Sequence, residues 1–133
     1  MTFRTLLIAK AVVCLVFGVL LLSAPSMLLG MLGTDLNAGG RFTAREYGAA
    51  LIGTFLLTWF ARNVKAPDAR GAILLDLLVY DAIGMVVTLQ VVVSGVLNAL
   101  GWGIVAVYAF FTVTPCYLLL KEKPFRRAHA QGA

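Results

Sequence analysis

The sequence predicts an all-α polytopic membrane protein: a four-transmembrane-helix bundle with a short interfacial helix after the first span. Three observations predict it. Apolar residues make up 61% of the 133 and charged residues 13%, against about 45–50% and about 25% in a soluble domain. Four apolar stretches stand out, at 5–24, 44–61, 72–95 and 97–120. Each meets the length needed to cross the hydrocarbon core, on the order of 20 residues, the second least comfortably. Strands in lipid would have to close into a barrel, with a turn about every ten residues, and that turn pattern is absent. Without a linker, a low-complexity tract or an internal repeat, residues 1–120 read as one domain, and 121–133 as a basic tail.

The first stretch, TLLIAKAVVCLVFGVLLLSA, follows Arg4 and has the look of a signal peptide. Its apolar run is long, however, and Lys10 interrupts it. The following SAPSM puts proline where a cleavage site would need A-x-A, so a permanent helix is expected. PSMLLGMLG, residues 25–33, is uncharged and too short to span. Pro25 suits the first turn of a helix, and a short helix lying at the outer interface or dipping into it is expected. TDLNAGGR then supplies turn residues. Thr43 is expected to cap the second span, with Glu46 as its capping-box partner.

The second span carries Ala44 and Gly48, and Ala49 and Gly53, each pair four apart. Such spacing lets helix backbones approach closely in lipid. The pairs lie on adjoining faces, one suited to the bundle and one to a second protomer. In the fourth span Pro115 has no N–H for the carbonyl of Phe111. A distortion is predicted there, with Thr112 and Thr114 hydroxyls helping to satisfy the backbone.

Charge placement orients the chain. Arg4, Lys10, Arg62, Lys65, Arg70, Lys121, Lys123, Arg126 and Arg127 fall on one side, and only Arg41 and Arg45 on the other. The positive-inside rule then puts both termini and the loop between the second and third spans in the cytoplasm. A multi-pass protein of a bacterial inner membrane is the expected setting. Phe42, Tyr47 and Trp102 fall near the outer interface, and Trp59, Phe60 and Tyr117 near the inner one.

The third span poses the chemical question. LLDLLVYDAIGMVVTLQVVV, residues 74–93, holds Asp76 and Asp81, with Tyr80 beside the second. A carboxyl group at a membrane helix centre costs roughly 2.5–3.5 kcal/mol on insertion scales, so it needs a partner, a watery cavity or a proton. Lys10 in the first span falls between the two aspartates in depth, and an ion pair with one of them is expected. One lysine cannot neutralise both, and the surplus carboxyl group is a candidate proton or ligand site. Lys10, Asp76, Tyr80 and Asp81 are therefore the site candidates. Arg45 and Glu46 join them as a polar mouth on the outer side.

No catalytic or metal constellation is present in the sequence. Cys14 and Cys116 sit inside spans and read as core thiols, and His129 is the only histidine. No cofactor is expected, since neither a phosphate-binding loop nor a dinucleotide fingerprint occurs. The net charge of +5 sits at span borders, where it meets anionic lipid; no nucleic-acid partner is expected.

RFTAREYGAALIGTFLLTWFAR, with the earlier LLLSAPSMLLGMLG, resembles small bacterial four-helix membrane proteins of the broad DoxX-like group. The resemblance spans most of the chain and implies a possible membrane redox partner such as a quinone. It transfers no catalytic residue. Small multidrug transporters carry a glutamate where this chain has Lys10, and the helix-two asparagine of double-barrelled fluoride channels is missing. Three function classes follow. The first, which the sequence favours, is a non-catalytic subunit or scaffold, self-associating or part of a larger membrane complex. The second is a proton-linked small transporter using the aspartates. The third is a binder or enzyme for an apolar substrate such as a quinone, isoprenoid or other lipid. A cavity between the second, third and fourth spans that reaches both aspartates favours the last two, and solid packing the first.

Overall fold

A computed structural model describes residues 1–132, which form six helices and no strand. These are α1 Phe3–Ser23, α2 Pro25–Met31, α3 Ala38–Ala61, α4 Pro67–Val93, α5 Gly101–Glu122 and α6 Pro124–Gly132. The chain is thus all-α. α1, α4 and the stretch Gly101–Gly132 are long and apolar enough to cross a membrane. α3 has the length, 24 residues, but Arg41, Arg45 and Glu46 make its first third polar.

Local chemistry sets the helix ends. The Thr2 hydroxyl accepts from the Thr5 N–H at 3.2 Å and caps α1. Pro25 and Pro67 open α2 and α4 at positions where a missing N–H costs nothing. The predicted short helix after the first span is α2. It closes on Gly33 at φ +85°, where the Thr34 N–H reaches the Leu29 carbonyl and the Gly33 N–H that of Gly30. α4 ends the same way on Gly95, at φ +79°.

The start of α3 corrects the capping expectation. The helix begins at Ala38, and the cap is Asn37, whose side chain accepts from the Gly40 N–H at 2.7 Å. Thr43 lies inside the helix and donates to the Gly39 carbonyl. Glu46 is exposed and takes no part in a cap. Gly39 and Gly40 had the composition of a turn, but the Asn37 cap draws them into the first helical turn.

The helices pair. α1 packs along α3 and α4 along α5, while the two pairs touch each other far less. At the tightest α1–α3 crossing, a Cβ on Gly48 would stand 3.0 Å from the Gly18 carbonyl oxygen and from the Leu22 nitrogen. Gly48 therefore serves the bundle. A Cβ on Gly53 would meet no neighbouring atom within 4 Å, and Ala49 is exposed.

The core is uneven. Phe3, Leu6, Leu7, Leu74, Leu77 and Leu118 are buried together at one end of the bundle. Arg70 reinforces that end. Its guanidinium forks onto both Glu122 oxygens at 2.8 Å and lies 4.2 Å from the Phe3 ring, tying α4, α5 and α1 together. Toward α2 the buried cluster shrinks to Cys14, Leu21 and Leu51.

Helix α5 runs without interruption through Pro115. The Thr112 hydroxyl donates to the Tyr108 carbonyl at 2.7 Å. Among the described residues neither threonine bonds the Phe111 carbonyl, so the expected hydroxyl substitution is not made; the Thr112 hydroxyl adds a second donor to a carbonyl that has its own helical N–H. The predicted basic tail also differs in form. Lys123, at φ +46°, turns the chain into α6, which folds back onto α4. There a Cβ on Gly71 would stand 2.9 Å from the Phe125 ring. Ala133, the last residue of that predicted tail, lies outside the described residues.

Candidate functional site

Because the two helix pairs meet mainly at the Phe3 end, a cavity of about 830 Å³ opens between them toward α2. Its walls are mostly apolar, with Leu21, Leu51, Ile104 and Val107 among them. α2 and the α4–α5 turn cover one end. Asn98 stitches those two together, its N–H on the Leu32 carbonyl at 2.8 Å and its side-chain amide on that of Met31 at 2.9 Å.

The other end is polar and closed. Lys10 Nζ lies 2.5 Å from Asp81 Oδ1, with side-chain exposures of 4% and 0%. The expected ion pair is thus made, and Asp81 is the aspartate that makes it. The ammonium also lies 5.0 Å from the Tyr80 ring centre and 4.6 Å from that of Phe111, both within cation–π range. Phe111 belongs to the buried core, so it seals the cavity behind the pair. Asp81 Oδ2 is buried and has no hydrogen-bond partner among the described residues.

Three tyrosines from three helices stand in the same cavity wall. The Tyr47 hydroxyl of α3 lies 2.5 Å from that of Tyr80 of α4 and 2.8 Å from that of Tyr108 of α5. Gly84 makes room for this cluster, since a Cβ there would fall 2.5 Å from the Tyr108 ring. Gly84→Ala is therefore expected to move Tyr108 and break the Tyr47–Tyr108 bond. The hydroxyl proton and ring resonances of Tyr108 in NMR spectra would report it, and an unchanged Tyr108 environment would contradict the packing.

The candidates from the sequence divide. Lys10, Tyr80 and Asp81 come together in the cavity. Asp76 is exposed on the outer face of α4, alongside Val79 and Ile83, and takes no part in the cavity wall. Arg45 and Glu46 are exposed and also stay out of it. Sequence reasoning missed Tyr47 and Tyr108. The available signal was a phenol in mid-helix, which in lipid has to find a polar partner. Cys14, read as a core thiol, is buried and borders the cavity.

Fold and site together define a helical bundle, with three helical stretches long and apolar enough to cross a membrane, around a cavity that is apolar at the α2 end and polar at its floor. The chain belongs to the family described as Domain of unknown function (DUF8292), whose model matches residues 2–120. The match covers α1 to α4 and nearly all of α5, with every cavity residue. No curated protein and no solved structure matches the chain.

Proposed function

We propose that the protein spans a bacterial inner membrane four times, with both termini cytoplasmic, and holds a small apolar molecule between its two helix pairs. One observation carries this reading: the cavity, about 830 Å³, has the size of a small-molecule site, roughly 300–1,000 Å³, and the same composition of apolar walls with few polar groups. Solid packing throughout would have favoured a scaffold. Here packing is solid only at the Phe3 end. A proton-linked transporter is less well supported, because Asp81 is fully buried against Lys10 and Asp76 lies outside the cavity. We include quinones, isoprenoids and other lipids among the molecules to try, on the resemblance of the sequence to DoxX-like proteins.

The fourth span in this proposal is α3, supported by its close packing along α1 through Gly18 and Gly48. Cysteine labelling at added sites near Asn37 and in the tail tests the orientation. Labelling from outside is expected near Asn37 only, and a tail labelled from outside would overturn it.

Binding is tested with an apolar fluorescent probe and two tryptophan substitutions. Val107 borders the cavity, whereas Val113 is 66% exposed on the outer surface of α5. Val107→Trp is expected to abolish saturable probe uptake, and Val113→Trp to leave it unchanged. Equal uptake by both variants would show that the probe does not enter the cavity.

Self-association is a second reading, favoured by Ala49 and Gly53, which leave open space on the outer face of α3. It is compatible with the first, since that face lies away from the cavity.

A further inference from the structure

Building on the binding reading above, we infer that the molecule held in the cavity is a neutral amphiphile whose head is a hydroxyl group, alcohol or phenol, donated to Asp81 Oδ2. Charge comes first. Lys10 and Asp81 cancel each other at 2.5 Å, and among the described residues no other charged side chain lines the cavity. An anionic head at this floor would face the Asp81 carboxylate, and a cationic head would face the Lys10 ammonium. Either would enter a low-dielectric site without a free counter-charge, which is costly. A neutral head meets no such cost.

Hydrogen-bond supply then selects among neutral heads. The ammonium gives one hydrogen bond, to Asp81 Oδ1, and faces the two aromatic rings. Asp81 Oδ2, buried and without a hydrogen-bond partner among the described residues, is an acceptor whose capacity is unspent, and an ionised carboxylate only accepts. A buried acceptor left unmade is costly, so a ligand that supplies a donor gains more than one that does not. A carbonyl, ether or ester head supplies none. The tyrosine cluster complements this demand. Three hydroxyl protons serve two O···O contacts, between Tyr47 and Tyr80 and between Tyr47 and Tyr108. One phenol proton is therefore left to donate. The floor as a whole offers one strong acceptor beside phenol and ammonium donors, and a hydroxyl both gives and takes. The apolar length of the molecule then lies along the leucine-lined part toward α2, where Leu28, Leu29 and Leu97 form the wall. A quinone in its oxidised form, an acceptor only, fits this floor less well than its hydroxyl-bearing reduced form.

The test compares three probes of one chain length on the delipidated protein in detergent: 1-hexadecanol, hexadecyl methyl ether and hexadecanoate. The alcohol is expected to bind at least about tenfold tighter than the ether, the scale of one hydrogen bond to a charged group, and tighter than the acid. In the double variant Lys10→Met/Asp81→Leu, which removes acceptor and charge together, the alcohol and ether are expected to bind alike. That variant is checked for helicity and monodispersity, and Val113→Trp serves as the folded control for the assay. If alcohol and ether bind wild type equally, or the acid binds best, the hydroxyl inference is wrong while the binding reading stands. If the preference for alcohol persists in the double variant, Oδ2 is not the acceptor and the inference fails. Should no probe bind, and should the native protein carry no molecule into purification, the binding reading itself fails and takes the inference with it. Should it instead carry a molecule without a hydroxyl, only the inference fails.

Discussion

Lys10→Met is expected to destabilise the protein by roughly 3–5 kcal/mol, because it leaves the Asp81 carboxylate buried without its counter-charge. The pair is among the most enclosed polar features of the fold, with side-chain exposures of 4% and 0%. The loss should fall mainly on Asp81, whose Oδ1 loses its partner while Oδ2 already has none among the described residues. Adding Asp81→Asn to Lys10→Met is expected to restore much of it, since a neutral amide is far cheaper to bury than a carboxylate. Reversible unfolding in mixed micelles checks the cycle. Additive losses in the double variant would show that the two groups do not depend on each other.

Gly48→Leu is expected to be comparably damaging, at about 3 kcal/mol or more. Overpacking usually costs roughly 1–3 kcal/mol because neighbouring side chains can shift. At Gly48 the obstacles are backbone: the Gly18 carbonyl oxygen and the Leu22 nitrogen, both 3.0 Å from the new Cβ. The whole of α1 would have to move away from α3, and Lys10 would move with it. Gly53→Leu on the outer face is the control. Beyond its own stretch of helix, no atom of the described residues lies within 4 Å of its Cβ, so its effect on monomer stability is expected within about 0.5 kcal/mol. Thermal unfolding of both variants in detergent separates them. A mild Gly48→Leu would mean that α1 and α3 are not in close contact.

How far these features could be read from the sequence depends on the range of the interaction that fixes them. The short helix after the first span was legible because Pro25 opens it and Gly33 closes it within nine residues. The Lys10 partnership was legible because an unpaired charge at that depth is intolerable and the lysine and aspartates are few. Which aspartate it would choose was not, because that depends on how α1 and α4 are rotated. Asp76 and Asp81 differ by five positions, and the rotation turns one outward and one inward. The Asn37 cap was hidden by two glycines whose composition is that of a turn. The tyrosine cluster was hidden for a different reason: Tyr47, Tyr80 and Tyr108 lie about thirty residues apart in turn, and only the splay of two helix pairs brings their hydroxyls together. The cavity itself is the space left by that splay. No residue pattern encodes it directly, although Gly84, which yields its volume to the Tyr108 ring, is a trace of the same geometry.

The most direct test of a molecule-binding cavity is native mass spectrometry of the wild-type protein, released from its own membrane into a mild detergent. The expected spectrum shows each protomer with one discrete bound mass that survives removal of the surrounding lipid and disappears in Val107→Trp. Protomers at their bare mass, or carrying only the heterogeneous lipid equally present on Val107→Trp, would contradict the proposal.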